Sequence, residues 1–266
     1  MFSCVSSRTA QKAAARQARL EAEARARQAA THNRVRILVG VLVVAAVFVA
    51  LAVAVSSGSG TRSNAANGGR LLGVSYSRNL FAGIPQNGTE LGNPRAPIRL
   101  VEFADLQCPY CDEYTLQALP TLVTDYVRTG AVQMQFENLS FIGPGSVAAG
   151  KAAAAASRQN KLWNFVDLLY LNQGDENSGY VTPTYLRRLL EAVPALNVRH
   201  ALRDSRSPAA AEALASAGQA AAQDGISATP SFLIGRAGGS LHQFQPTSLS
   251  ARPFQAEINS LLGPAK

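Results

Sequence analysis

The chain has 266 residues, a net charge of +8, 47% apolar residues and 16% charged ones. With charge below the roughly 25% of an average protein and ample apolar content, it is neither a polyelectrolyte nor a disordered chain. The length admits one or two domains with a sizeable core, and three cysteines are too few for a disulfide-stapled mini-fold.

Residues 1–36 hold eight basic and two acidic residues, so most of the +8 lies there and the remaining chain is near neutral. A nucleic-acid-binding domain carries its charge on the folded part, so no nucleic acid is expected as a partner. Within this segment, residues 10–30 are strong helix formers without a broad apolar stripe, as in a solvated cytosolic helix. Residues 37–55 (ILVGVLVVAAVFVALAVAV) carry no charge. As a helix they reach about 28 Å, matching a hydrocarbon core of about 30 Å. Arg34 and Arg36 precede the run and a single arginine, Arg62, follows it before Arg70. The positive-inside rule then predicts a single-pass signal anchor with a cytosolic N-terminus and an extracytoplasmic C-terminal bulk. A cleaved signal peptide is the competing reading, with Ala52-Val53-Ala54 as its site.

Residues 56–79 read as an extracytoplasmic linker, Ser/Gly/Asn-rich through residue 70. The short apolar runs Leu71–Val74 and Leu80–Ile84 suggest an entry strand, and Pro97–Ala104 reads as a buried strand. A helix is predicted over Pro109–Arg128, stopped by Gly130, followed by a strand over Ala131–Asn138. From about 145 to 224 the pattern is helical, with Pro183 and Pro208 opening two of the segments. Strands at Ser231–Ile234 and Leu241–Phe244 and a helix over Arg252–Leu262 close the chain. The order is α/β with a helical insertion.

The run Val101-Glu-Phe-Ala-Asp-Leu-Gln-Cys108-Pro-Tyr-Cys111 places a CxxC where a strand hands over to a helix. Free N–H groups and the positive helix end stabilise a thiolate at Cys108, and Cys111, one turn in, can close a disulfide. Pro109 sits where its missing N–H costs nothing. The pattern predicts thiol–disulfide exchange with Cys108 attacking and Cys111 resolving. A zinc site needs about four ligands; Cys4 is predicted across the membrane, and His32, His200 and His242 form no ligand-spaced pair. No metal or organic cofactor is expected. Two further readings stay open: the opposite direction of exchange (isomerase or reductase, as in cytochrome c maturation), and a tethered copper chaperone or binding protein.

The run VEFADLQCPYC, with Ser227-Ala-Thr-Pro230-Ser-Phe-Leu-Ile-Gly235 downstream, resembles the DsbA-like branch of the thioredoxin superfamily, exported oxidoreductases often membrane-tethered in Gram-positive and actinobacterial-type cells. The resemblance covers about residues 80–264. It implies a thioredoxin-like fold with a helical insertion over about 145–224, a domain spanning 80–266, and a cis-proline at Pro230. It implies that Thr229 and Pro230, with Pro109 and Tyr110, face the substrate. Glu102 matches the family's buried acid, with Asp105 the rival. It also implies exported protein thiols as substrates and a membrane reoxidant of the DsbB or VKOR type. Tyr110 stands where strong oxidants of the family often carry histidine, and Thr229 also resembles the isomerase and reductase relatives, so direction stays open.

Overall fold

A computed structural model describes residues 69–263, and all structural statements below concern them. The anchor expected at 37–55, the basic segment before it and Cys4 lie outside the described residues. Among the described residues no helix is long and apolar enough to cross a membrane.

The chain enters through a helix, α1 (Val74–Leu80), not the strand suggested by its apolar runs. Such runs are too short for periodicity to separate helix from strand. Leu80 is buried, and the Asn172 side chain bridges both backbone groups of Leu72, accepting from its N–H and donating to its carbonyl. A small hairpin follows, β1 (Gln86–Asn87) and β2 (Glu90–Leu91), then the long strand β3 (Ile98–Ala104).

The helix predicted over Pro109–Arg128 is three pieces. These are α2 (Pro109–Gln117), α3 (Leu119–Leu122) and a wider π turn over Val123–Val127. Pro120 is the physical reason for the break: it offers no N–H to the preceding turn and its ring crowds that turn's carbonyl. Gly130, at φ +80°, then turns the chain into β4 (Val132–Asn138).

Between β4 and the next strand run α4 (Pro144–Ser157), α5 (Leu162–Leu171), α6 (Pro183–Ala192), α7 (Val198–Asp204) and α8 (Pro208–Gln223). Prolines open α4, α6 and α8, and the Thr182 hydroxyl caps α6 by accepting from the Tyr185 N–H. Strands β5 (Ser231–Arg236) and β6 (His242–Phe244) and helix α9 (Ala251–Leu262) complete the unit.

The sheet order is β1-β2-β4-β3-β5-β6. Only β3 and β4 pair in parallel, joined by the α2–α3 crossover. The central strand β3 is covered on both faces. Ile98, Leu100 and Ala104 belong to the main core, while Val101 and Phe103 pack with Ala217 and Ala221 of α8. In the main core Tyr114, Phe232 and Phe254 form an aromatic triangle with centroids 4.8–5.1 Å apart. Trp163 ties the inserted helices to the sheet, edge-on to Phe136 at 6.0 Å and donating to the Thr89 carbonyl at 3.1 Å.

Candidate active site

Strand β3 ends at Ala104 and α2 begins at Pro109, and Cys108 is the N-cap of α2 in an extended conformation. Its sulfur therefore sits at the positive end of a helix. Cys111, one turn in, is fully buried, and both are free thiols. The Cys111 thiol donates toward Cys108 and lowers its pKa to about 6. Burial opposes this, and the Thr229 side chain and the N–H groups of Cys111 and Tyr110 add to the lowering. Cys111 moves the other way, well above an ordinary thiol, first through burial and then through the neighbouring Cys108 charge. The two thiols thus have opposite characters: the anion is favoured at Cys108 and the protonated thiol at Cys111.

Pro109 and Tyr110 stand in solvent, Tyr110 with 63% of its surface exposed. Across from the thiols the Thr229–Pro230 peptide is cis, and the Thr229 carbonyl accepts from the Cys108 Sγ–H at 3.4 Å. Positions 108 and 229, separated by 121 residues, thus meet. A shallow pocket of about 340 Å³ runs beside them, lined by Tyr110, Pro230, Phe244 and Leu249 among others.

Glu102 is on β3, paired with Phe136 on one side and Phe232 on the other. Strand alternation turns it out of step with Val101 and Phe103, into the face that the main core covers, so it has no solvent side. It is 2% exposed, and its Oε1 has no hydrogen-bond partner. Burial first, and the Cys108 charge second, push its pKa up to about 8. The carboxyl is felt by Cys111 and by the buried Tyr114 hydroxyl.

Asp105, the rival acid, is spent on structure. Its Oδ1 accepts from the Gln107 N–H at 2.8 Å and the Ser146 hydroxyl at 2.5 Å. Its Oδ2 accepts from the N–H groups of Phe141 and Ile142, each at 3.0 Å. A carboxylate so engaged anchors the loops around the turn. Sequence reasoning missed this role, although an aspartate at a strand end two residues before a turn N–H is a local Asx signature. It also missed Tyr170 and Gln173. Tyr170 donates to the Asp105 carbonyl at 3.0 Å, and Gln173 to the carbonyls of Leu106 and Cys108, each at 3.3 Å. Nothing local in the sequence marks contacts at such separations.

Residues 86–243 match the thioredoxin family model. The chain belongs to the thioredoxin family. Among its relatives is a probable disulfide bond formation protein D from Bacillus cereus, 34% identical over 120 residues, 44% of this chain and 56% of that protein. The chain thus spans about half the length of the curated relatives it matches. The oxidised crystal structure of BdbD from Bacillus subtilis has the same fold, at a TM-score of 0.58 and 22% identity, covering 67% of this chain and 97% of the other. Wolbachia pipientis alpha-DsbA1 aligns at 0.55 and 21% identity over 70% of this chain and 95% of its own. Both solved structures share the fold of this chain, and the Bacillus cereus relative shares its sequence over part of its length.

Proposed function

We propose that this protein is a membrane-anchored, extracytoplasmic thiol–disulfide oxidoreductase that forms disulfides in exported proteins. The opposite acidities of Cys108 and Cys111 carry the reading: a thiol lowered to about 6 beside one raised well above the ordinary value. The family membership and the disulfide-formation relatives support the same chemistry.

In the oxidised protein, a substrate thiolate lying along Thr229 attacks Cys108 Sγ. The Cys108–Cys111 bond breaks, and Cys111 leaves with the electron pair and takes a proton from Glu102. A second substrate thiolate then attacks the substrate's own sulfur and expels Cys108 as thiolate. Two electrons have passed from the substrate dithiol to the cysteine pair. The lowered pKa of Cys108 favours this direction, because its thiolate stabilises the reduced enzyme. Glu102, with a pKa of about 8, is mostly protonated near pH 7 and has its proton to give. Thr229 and Pro230 hold the substrate strand, while Pro109 and Tyr110 shape the exposed side. A membrane reoxidant of the DsbB or VKOR type, through its own disulfide, takes the two electrons onward.

The test is trapping. In Cys111→Ala the mixed disulfide on Cys108 cannot be resolved, so exported proteins should accumulate on the enzyme in non-reducing gels. Cys108→Ala should trap few or none. Equal trapping by the two variants, or more by Cys108→Ala, overturns the assigned roles.

A further inference from the structure

A second concavity, of about 510 Å³, reaches the residues just before the Thr229–Pro230 peptide. Ile226 and Ser227 line it, whereas Ala228 and Pro230 line the pocket beside Tyr110. From Ser227 to Thr229 is at most about 7 Å of extended chain, and the Thr229 carbonyl touches Cys108 Sγ. One short stretch of backbone, residues 226–231, thus supplies lining to both concavities and carries the carbonyl that meets Cys108.

The second one has the features of a built side-chain site. Phe141 and Val147 stand at it with 56% and 36% of their surface exposed, and Leu139 and Leu214 add further apolar wall. Phe141 is held in place by its own N–H, which donates to the buried Asp105 carboxylate. An exposed aromatic ring on an anchored backbone is preorganised for contact. Lys151 is also part of the lining, and it is half-buried with no ion pair among the described residues. Opposite, α8 presents Gly218, where a Cβ would meet nothing within 4 Å.

We propose that this groove is a substrate subsite. It takes an apolar side chain of the unfolded polypeptide whose cysteine reacts at Cys108, and Lys151 pairs with an acidic residue next to that side chain. The inference rests on the exchange activity proposed above and names the sequence that activity prefers: a cysteine with an apolar and an acidic residue close by. Continuity with the Thr229 loop selects the occupant, since a strand lying along Thr229 must continue into one concavity or the other. The unpaired ammonium selects its charge.

The experiment uses the oxidised full chain in detergent micelles and follows reduction of its disulfide. The thiols are dithiothreitol and three palindromic peptides, so that strand direction does not matter: Glu-Leu-Gly-Cys-Gly-Leu-Glu, Lys-Leu-Gly-Cys-Gly-Leu-Lys and Lys-Ser-Gly-Cys-Gly-Ser-Lys. Each peptide rate is divided by the dithiothreitol rate of the same protein. Wild type should prefer the Glu-Leu peptide to the Lys-Ser peptide by tenfold or more. Lys151→Glu should reverse the order of the two leucine peptides. Gly218→Leu fills the groove with a better helix former in open space and should lower the Glu-Leu ratio several-fold. Should the peptides react alike, or should both variants keep the wild-type preference, the subsite is refuted while the exchange activity stands. Failure of dithiothreitol itself to reduce the protein would overturn the exchange activity, and the subsite with it.

Discussion

Glu102→Gln should make the protein more stable near neutral pH, and the gain should vary with pH in a set way. In the unfolded chain the carboxyl titrates near 4.5; in the fold, burial and the Cys108 charge hold it at about 8. A folded value raised above the unfolded one gives stability that is fully present below pH 4.5 and is lost as pH rises toward 8. At 1.36 kcal/mol per unit the loss is about 3 kcal/mol at pH 7 and about 5 kcal/mol above pH 8. Glutamine has the same shape and inherits the same unpartnered oxygen, but it has no proton to lose. The two proteins should therefore match near pH 4 and diverge steadily above it. For about 195 described residues, 3 kcal/mol corresponds to roughly 6–12 °C in Tm.

Denaturant unfolding of the reduced proteins at half-unit steps from pH 4 to 8.5 measures this directly. Trp163 is the single tryptophan and is buried, so its fluorescence reports the core around the site. Stability curves of wild type and variant that run parallel from pH 5 to 8 would show that the carboxyl is not held neutral by burial. The proton-donor role would fall with it.

Three more outcomes are expected. Iodoacetamide should label Cys108 with a pH midpoint near 6 and leave Cys111 unlabelled well beyond it. At pH 7 about nine-tenths of Cys108 is then thiolate, against about 1% for a thiol titrating at 9.0. Asp105→Ala removes the acceptor of the Gln107, Phe141 and Ile142 N–H groups and the Ser146 hydroxyl, and should cost about 3–5 kcal/mol in urea unfolding. For topology, alkaline phosphatase fused after Lys266 should be active and a fusion near Asn33 inactive; the reverse pattern would refute the proposed compartment.

Much of this fold is legible because its signals are local. The strand before the CxxC, the helix start at Pro109 and the proline-opened α6 and α8 each follow from residues within one or two turns. Pro120 carried equally local information, since an interior proline ends or shifts a helix, and the expectation of one helix to Arg128 passed over it. The entry helix α1 was not legible, because its helicity depends on docking against α5 and Asn172 rather than on any pattern of its own. Glu102 marks the boundary of what alternation can say. Alternation says which face of β3 the carboxylate takes, but only the fold shows that both faces are covered. Asp105 stands at the strand end, where the sequence makes it the rival of Glu102, but its four donors come from positions up to 41 residues away.

The inserted helices and the redox pair form one electrostatic unit. Tyr170 and Gln173, at and just beyond the end of α5, donate to the carbonyls of Asp105, Leu106 and Cys108, and Ser146 of α4 binds the Asp105 carboxylate. The turn that delivers Cys108 to the helix end is thus fastened from the insertion as well as from the sheet. With that turn fixed, the N–H groups of Tyr110 and Cys111 point at the Cys108 sulfur and favour its anion. The same negative charge disfavours ionisation of Glu102 and of Cys111. Near pH 7 the site therefore favours a single negative charge, on Cys108, with a proton retained on Glu102 and another on Cys111. A second anion would be buried among Tyr114, Tyr170 and the aromatic core, where desolvation penalises it heavily. The proposed exchange uses this distribution: the charge sits on Cys108, and protons are held on Glu102 and on Cys111.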